Sequence, residues 1–166
     1  MGLFTEIRIG EPLPNVQVAE LVGGDVSTVD LQAFCGDRNL VVIGVPGAFM
    51  PSCTRLHLPD FVRKAPALKA AGIDDIVCIA PTNPWALAAW AERLDPERHL
   101  RFLSDGNLEF AIRTGLTLRD DANFVGRTMR RFLMRIANCT VRRLTVEDDV
   151  LAVTCTRADD VVVGVD

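Results

Sequence analysis

The sequence has no surplus of positive charge. Its 18 lysines and arginines face 22 aspartates and glutamates, for a formal net charge of -4, which argues against a phosphate-binding surface as the protein's main business. The arginines that do cluster, Arg127, Arg130, Arg131, Arg135, Arg142 and Arg143, alternate with no aromatic residue except Phe132, so a stacking platform for nucleic acid is missing. No apolar run approaches the length of a membrane span, and the start MGLFTEIRIGEPLP lacks the charged-then-apolar pattern of an export leader. There are only two histidines, His57 and His99, and none of the five cysteines sits in a Cys-x-x-Cys or knuckle spacing, which speaks against a metal cage. Repeats, low-complexity tracts and linkers are absent too. The expectation is a soluble, cytoplasmic protein with no nucleic-acid or membrane partner and no metal or cofactor. At 166 residues the chain is long enough for one well-packed domain, 1–166, and short for two.

What the chain does have is the stretch LVVIGVPGAFMPSC, Leu40 to Cys53. Leu40, Val41, Val42, Ile43 and Val45 form an apolar, largely β-branched run, as expected of a strand buried on both faces. Pro46, Gly47 and Pro51 stop it, because proline cannot donate a ladder hydrogen bond. Beyond Cys53, Leu58, Phe61, Val62, Ala65 and Leu68 recur with the spacing of one buried helix face. Cys53 is thus expected where a strand hands over to a helix, whose first-turn N–H groups and dipole favour a thiolate.

Around this stretch the pattern alternates. Val16, Val18 and Leu21 read as a half-buried strand ended by Gly23 and Gly24, and Thr28 to Phe34 as a short helical turn. Pro59 and Pro66 predict a kinked or broken helix after Cys53. DIVCIA (Asp75 to Ala80) reads as a second buried strand, and Asn83 and Pro84 as the cap and first residue of a helix reaching about Leu94. Leu100 to Leu103 reads as a third strand, Leu108 to Arg113 as a short helix stopped by Gly115, and Arg131–Ile136 with Val141–Val146 as an antiparallel hairpin about Asn138. The tail from Thr156 to Asp166 gives no firm reading. Alternating strands and helices with a closing hairpin predict an α/β sandwich on a mixed central β-sheet.

Four residues carry candidate chemistry. Cys53, on a loop corner, reads as a reactive thiol, whereas Cys78, apolar on both sides, reads as buried and inert. His57 shares a helix face with Cys53, so it is either a partner of the thiol or a histidine satisfied at the helix surface. Arg131 is either a cation that lowers the thiol pKa or part of a solvated basic face.

The run VPGAFMPSCTRLHLPDF resembles the active-site segment of the peroxiredoxin 5 type of atypical two-Cys peroxiredoxins, and the likeness extends through GNLEFAIRTGL, RRF, LTVED and the late TC. The resemblance implies a thioredoxin-like three-layer sandwich. It also implies a peroxidase that reduces hydrogen peroxide and organic hydroperoxides through a cysteine sulfenic acid, resolved by a second cysteine or an external thiol, with a thioredoxin- or glutaredoxin-type reductant and a homodimeric assembly. By the same likeness Cys53 is the peroxidatic cysteine, Arg131 binds the peroxide oxygens, Pro46 shapes the loop and Cys155 is the candidate resolving cysteine, closing an intrachain disulfide with Cys53.

One position departs from the pattern Pro-x-x-x-Thr/Ser-x-x-Cys: this chain has Met50 at the hydroxyl position. A thioether is at best a weak acceptor, and loss of one such contact costs on the order of 2–4 kcal/mol, or roughly 10² to 10³ in rate. The alternative from another class is a catalytically impaired thioredoxin-fold redox sensor or interaction module. Met50→Thr is therefore expected to raise the second-order rate constant with hydrogen peroxide about tenfold or more, roughly 1.4 kcal/mol. A stopped-flow rate for the unmodified protein already equal to that of the variant would show that the missing hydroxyl costs nothing here.

Overall fold

The computed structural model describes residues 5–161. The ends of the expected domain, residues 1–4 and 162–166, lie outside the described residues, as does the last part of the tail. In chain order the elements are β1 (Gln17–Val22), β2 (Asp25–Asp30), α1 (Leu31–Cys35), β3 (Asn39–Gly44), a π-helical segment (Cys53–His57) continuing into α2 (Leu58–Ala70), and β4 (Asp75–Ala80). There follow α3 (Pro84–Leu94), β5 (Arg101–Ser104), α4 (Glu109–Thr114), β6 (Thr117–Asp120), β7 (Gly126–Met129), β8 (Phe132–Ala137), β9 (Thr140–Val146) and a 3-10 turn at Ala158–Asp160.

Seven strands form one mixed sheet in the order β2-β1-β5-β4-β3-β8-β9. β3, β4 and β5 run parallel, while β1 against β5, β8 against β3 and β9 against β8 are antiparallel. The two-residue periodicity of a strand sends alternate side chains to opposite faces, and the core divides accordingly. Leu40, Val42, Val77 and Ile79 pack on one face with Leu31 and Cys35 of α1 and Phe110 of α4. Val41, Ile43, Ile76, Cys78 and Cys53 pack on the other with Phe61 of α2 and Leu87 and Trp90 of α3. Each such apolar side chain contributes roughly 1.5–3 kcal/mol by leaving water. The result is a three-layer α/β sandwich with β3 near its centre, buried on both faces as its sequence predicts.

Several elements differ from the sequence reading. Thr28 to Asp30 lie in an edge strand, β2, with the helical turn confined to Leu31–Cys35. β2 is nearly all exposed, so it has no apolar alternation to betray it. Its signal is the Gly23–Gly24 pair, both with positive φ, the two-residue hairpin loop that joins it to β1. The β6–β7 pair, four residues each, is too short for a periodicity. After Cys53 the helix is neither broken nor stopped by its prolines. Pro59 falls where the π segment passes into α2, and Pro66 is carried inside the helix. The irregularity lies upstream, in the π turn in which the Leu58 N–H reaches the Cys53 carbonyl. Among the described residues no helix is long and apolar enough to cross a membrane.

One glycine fixes the geometry of the site. Gly44, the last residue of β3, pairs with Phe132, the first of β8, and a Cβ at Gly44 would fall 2.0 Å from Cε1 of the Phe132 ring. The ring can lie over the strand only because Gly44 has no side chain, and Arg131 directly precedes it. Gly44→Ala is expected to cost about 2 kcal/mol or more in urea unfolding through overpacking. A loss under about 0.5 kcal/mol, within the range of neutral surface changes, would refute this account of the packing.

Candidate active site

Beyond β3 the chain turns through Val45 and Pro46 into a loop pinned at each step. The Pro46 carbonyl accepts from the Thr128 hydroxyl at 2.7 Å, and the Ala48 N–H donates to the Thr82 hydroxyl at 3.0 Å. Phe49 adopts φ 63°, a left-handed conformation uncommon for a bulky residue. Met50 packs half-buried against the cluster that holds Cys53, and its sulfur lies 3.1 Å from where a Cβ on Gly47 would stand. Helical backbone begins at Pro51, so Cys53 lies in the first turn, as the strand-to-helix reading predicts. Its side chain is fully enclosed.

Arg131 meets it there. The guanidinium, 0% exposed, donates from Nη2 to the Cys53 sulfur at 3.1 Å and to the Val150 carbonyl at 2.9 Å, and its Nη1 lies 2.9 Å from Nδ1 of His57. Its Nε–H has no partner among the described residues. Among the described residues no carboxylate forms an ion pair with it, whereas its neighbour Arg130 pairs with Glu6 and Asp148. Arg131 therefore does not belong to a solvated basic face.

His57 is buried, not at the helix surface. Its Nε2 lies 2.6 Å from the Thr156 carbonyl. A carbonyl only accepts and a guanidinium only donates, so the proton sits on Nε2 and Nδ1 accepts from Arg131. Burial and then the Arg131 charge hold the imidazole down at about 4, so it is neutral at pH 7. His57 is thus paired with the cation beside the thiol rather than with the thiol itself.

The expectation that the helix start favours a thiolate meets an opposing force. Burial pushes the Cys53 thiol up, and Arg131, with the N–H groups of Gly47 and Cys53, pulls it back without cancelling that rise. Cys78, equally enclosed, is pushed well up by burial and by the neighbouring Cys53, consistent with an inert core thiol.

Cys155 is partly exposed on the loop after β9, its thiol donating to the Val146 carbonyl at 3.7 Å. Burial and the Glu147 charge push this thiol up, so Cys155 faces an anion where Cys53 faces a cation. The two sulfurs are not bonded. Glu147 organises this loop. Its carboxylate accepts from the N–H groups of Thr154 (2.6 Å) and Cys155 (2.8 Å) and from the hydroxyls of Thr154 (2.8 Å) and Thr156 (2.9 Å). Burial would raise its pKa, but these donors outweigh it and hold the carboxyl at about 2. Glu147, Thr82, Thr128 and the Val150 carbonyl were not singled out from sequence. Only Glu147 left a trace, inside LTVED. A depression of about 820 Å³ between β1–β2 and α3, near Leu21, Leu87 and Arg98, contains none of the candidate residues.

A three-layer sandwich that buries one cysteine thiol against an unpaired arginine at a helix start defines a cysteine-based redox enzyme. Residues 8–161 match the redoxin family. Among curated proteins the chain is similar to peroxiredoxin-2D of Arabidopsis thaliana, 32% identical over 86% of this chain and 88% of that one. It also resembles chloroplastic peroxiredoxin-2E of the same plant, 35% identical over 86% of this chain and 62% of the other. Among solved structures it is similar to reduced Prx3 of Vibrio vulnificus in complex with hydrogen peroxide, with a TM-score of 0.86 and 29% identity over 93% and 96% of the chains. Peroxiredoxin 5 of Alvinella pompejana gives a TM-score of 0.78 with 29% identity over 87% and 92%. The chain belongs to the redoxin family, as a peroxiredoxin of the peroxiredoxin 5-like type with the thioredoxin fold. It is a thiol-dependent peroxidase, which consumes peroxide at the expense of a thiol reductant. The alternative of an impaired sensor has no support in these likenesses.

The Glu147 shift sets a pH dependence. Its folded value of about 2 lies below the ordinary 4.5, so the stability it contributes is fully present above the unfolded value and is lost as pH falls towards 2. The amount is on the order of 3 kcal/mol. Glu147→Gln is expected to flatten the unfolding free energy between about pH 5 and 2 relative to the unmodified protein. Parallel curves for the two proteins would show that the loop is held by something else.

Proposed function

We propose that Cys53 is the peroxidatic cysteine and Arg131 the cation that supports its thiolate and binds the peroxide. The observation that carries this is the 3.1 Å contact from Arg131 Nη2 to the Cys53 sulfur, made by a buried guanidinium with no carboxylate counter-ion among the described residues. Burying a charge that no carboxylate pairs among the described residues is costly, and a thiolate on Cys53 offsets it. The thiolate attacks one peroxide oxygen, the O–O bond breaks, and water or an alcohol leaves, giving a sulfenic acid on Cys53. The free Nε–H of Arg131 and the backbone N–H of Gly47 are available donors for the oxygens as charge moves between them. Pro46 holds the loop through its carbonyl, and Met50 shapes the mouth without supplying a hydroxyl.

Cys155 is the resolving cysteine in this reading, supported by its exposure and by its place next to Thr156, which His57 ties to Arg131. Condensation requires the Cys155 segment to leave Glu147 and Val146 and expels water as the disulfide forms. A thioredoxin- or glutaredoxin-type donor then reduces the disulfide by thiol exchange. The cytoplasm suits a catalyst that must return to the thiol form. One domain over 1–166 is supported by a sheet drawing strands from Gln17 to Val146. A homodimer is supported by the exposed apolar side chains of Phe49, Leu56 and Trp85.

Cys53→Ser is expected to abolish peroxide consumption while leaving the circular dichroism spectrum unchanged. Arg131→Met should raise the pH at which Cys53 alkylates, since the guanidinium lowers that thiol. Activity retained without Cys53, or an unchanged alkylation profile without Arg131, would overturn the respective assignment. Turnover compared with thioredoxin against glutaredoxin and glutathione decides the reductant, and light scattering decides the dimer.

A further inference from the structure

A second pair of cysteines meets on the opposite face of the sheet. Cys35 closes α1 and is fully buried among Leu13, Leu31, Leu40 and Ile136, and Cys139 packs partly buried against the same cluster. Cys139 occupies the turn between β8 and β9, where Asn138 and Cys139 have φ of 50° and 59°, the two-residue loop that normally takes glycine at its second position. Several contacts hold this turn against α1. The Cys139 thiol donates to the Gln32 carbonyl at 3.6 Å, the Leu13 N–H donates to the Cys139 carbonyl at 2.9 Å, and the Gln32 side chain donates to the Leu13 carbonyl at 3.0 Å. Gln32 and Cys35 lie on the same short helix, so the Cys139 thiol packs against the turn that Cys35 closes, and burial together with the nearby Cys139 thiol pushes Cys35 up. A cysteine held at positive φ, where glycine would avoid the steric cost, against a second thiol is an outlier that calls for a function.

We propose that Cys35 and Cys139 form a second redox couple, a disulfide that clamps the β8–β9 turn to α1 independently of Cys53. Cys139, the partly exposed member, is the attacking thiol. Its thiolate takes one oxygen of a peroxide, the S–O bond forms, the O–O bond breaks, and the other oxygen leaves as water or an alcohol. The buried Cys35 sulfur then attacks the Cys139 sulfur. The S–S bond forms, the S–O bond breaks, and hydroxide leaves as water with the Cys35 proton. The net change is two thiols and one peroxide to a disulfide, water and one further water or alcohol. Cys53 packs in the cluster on the other face of the sheet, so the sheet separates the two couples. Closing a bridge between α1 and this distant turn constrains the unfolded chain over a long loop, and the strand it clamps, β8, begins immediately after Arg131.

The test uses the full-length protein with Cys53→Ser and Cys155→Ser, which removes the peroxidase disulfide. It is oxidised with hydrogen peroxide, blocked with an alkylating agent and digested without reduction. The expected result is a Cys35–Cys139 linked peptide and a melting temperature roughly 5 °C or more above that of the reduced form. The gain should vanish in the same background carrying Cys139→Gly, a residue the turn accepts. In an otherwise unmodified chain, Cys139→Gly should leave the peroxidase rate unchanged. Recovery of Cys35 alkylated with Cys139 alkylated or over-oxidised, or of Cys35 joined to any other cysteine, would overturn the proposal.

Discussion

A positive charge shut away from water is the constraint on which the rest of this structure turns. Arg131 is 0% exposed and its donors go to a sulfur, a carbonyl and a neutral imidazole nitrogen. None of these carries a full negative charge while Cys53 is protonated. Removing a guanidinium from water costs several kcal/mol unless an anion repays it, and the pull on the Cys53 proton is the other side of that debt. Burial of the sulfur and proximity of the cation therefore oppose each other within one pocket. Burial prevails in the closed site, so the thiolate forms only as far as the Arg131 charge compensates it.

The sandwich exists, from this viewpoint, to hold that cation still. Gly44 leaves room for the Phe132 ring, so β8 pairs with β3 close enough for Arg131 to reach across the strand end. The π turn at Cys53–His57 widens the helix start and brings Cys53 and His57, four positions apart, onto the same guanidinium. Thr128 and Thr82 then hold the loop that carries the backbone donors. Each is a short-range contact of about 1 kcal/mol, and together they fix a geometry that no single one determines.

The central strands β3 and β4, the α3 cap at Asn83 and the closing hairpin were legible because each is announced by a local signal: a β-branched run, a capping residue before proline, or apolar stretches split by a polar turn. β2 was not, because an exposed edge strand has no face to bury and only its glycine pair marks it. Cys53 was legible from its corner position and Arg131 as one of two readings, whereas Pro46, Met50 and Cys155 gained site roles only through family resemblance. Arg131 alone could not be separated from its arginine neighbours, since burial of one charge among six is decided by tertiary pairing. His57 shows the same limit. Helical spacing relates it correctly to Cys53, but the intervening partner comes from 74 residues away.

The loop that carries Cys155 also supplies the acceptors that orient Arg131. Val150 receives the guanidinium directly, and Thr156 receives it through His57. Glu147 closes the circuit, because its own N–H bonds the Arg131 carbonyl while its carboxylate gathers Thr154, Cys155 and Thr156. On the proposed chemistry Cys155 must leave this arrangement to reach Cys53, so resolution dismantles the support that activated the thiol. That order is favourable. A thiolate needs the cation, whereas a neutral sulfenic acid does not, so oxidation of Cys53 removes an electrostatic reason for the loop to remain closed. The same contacts that bias the first step then weaken when the second step requires the loop to move.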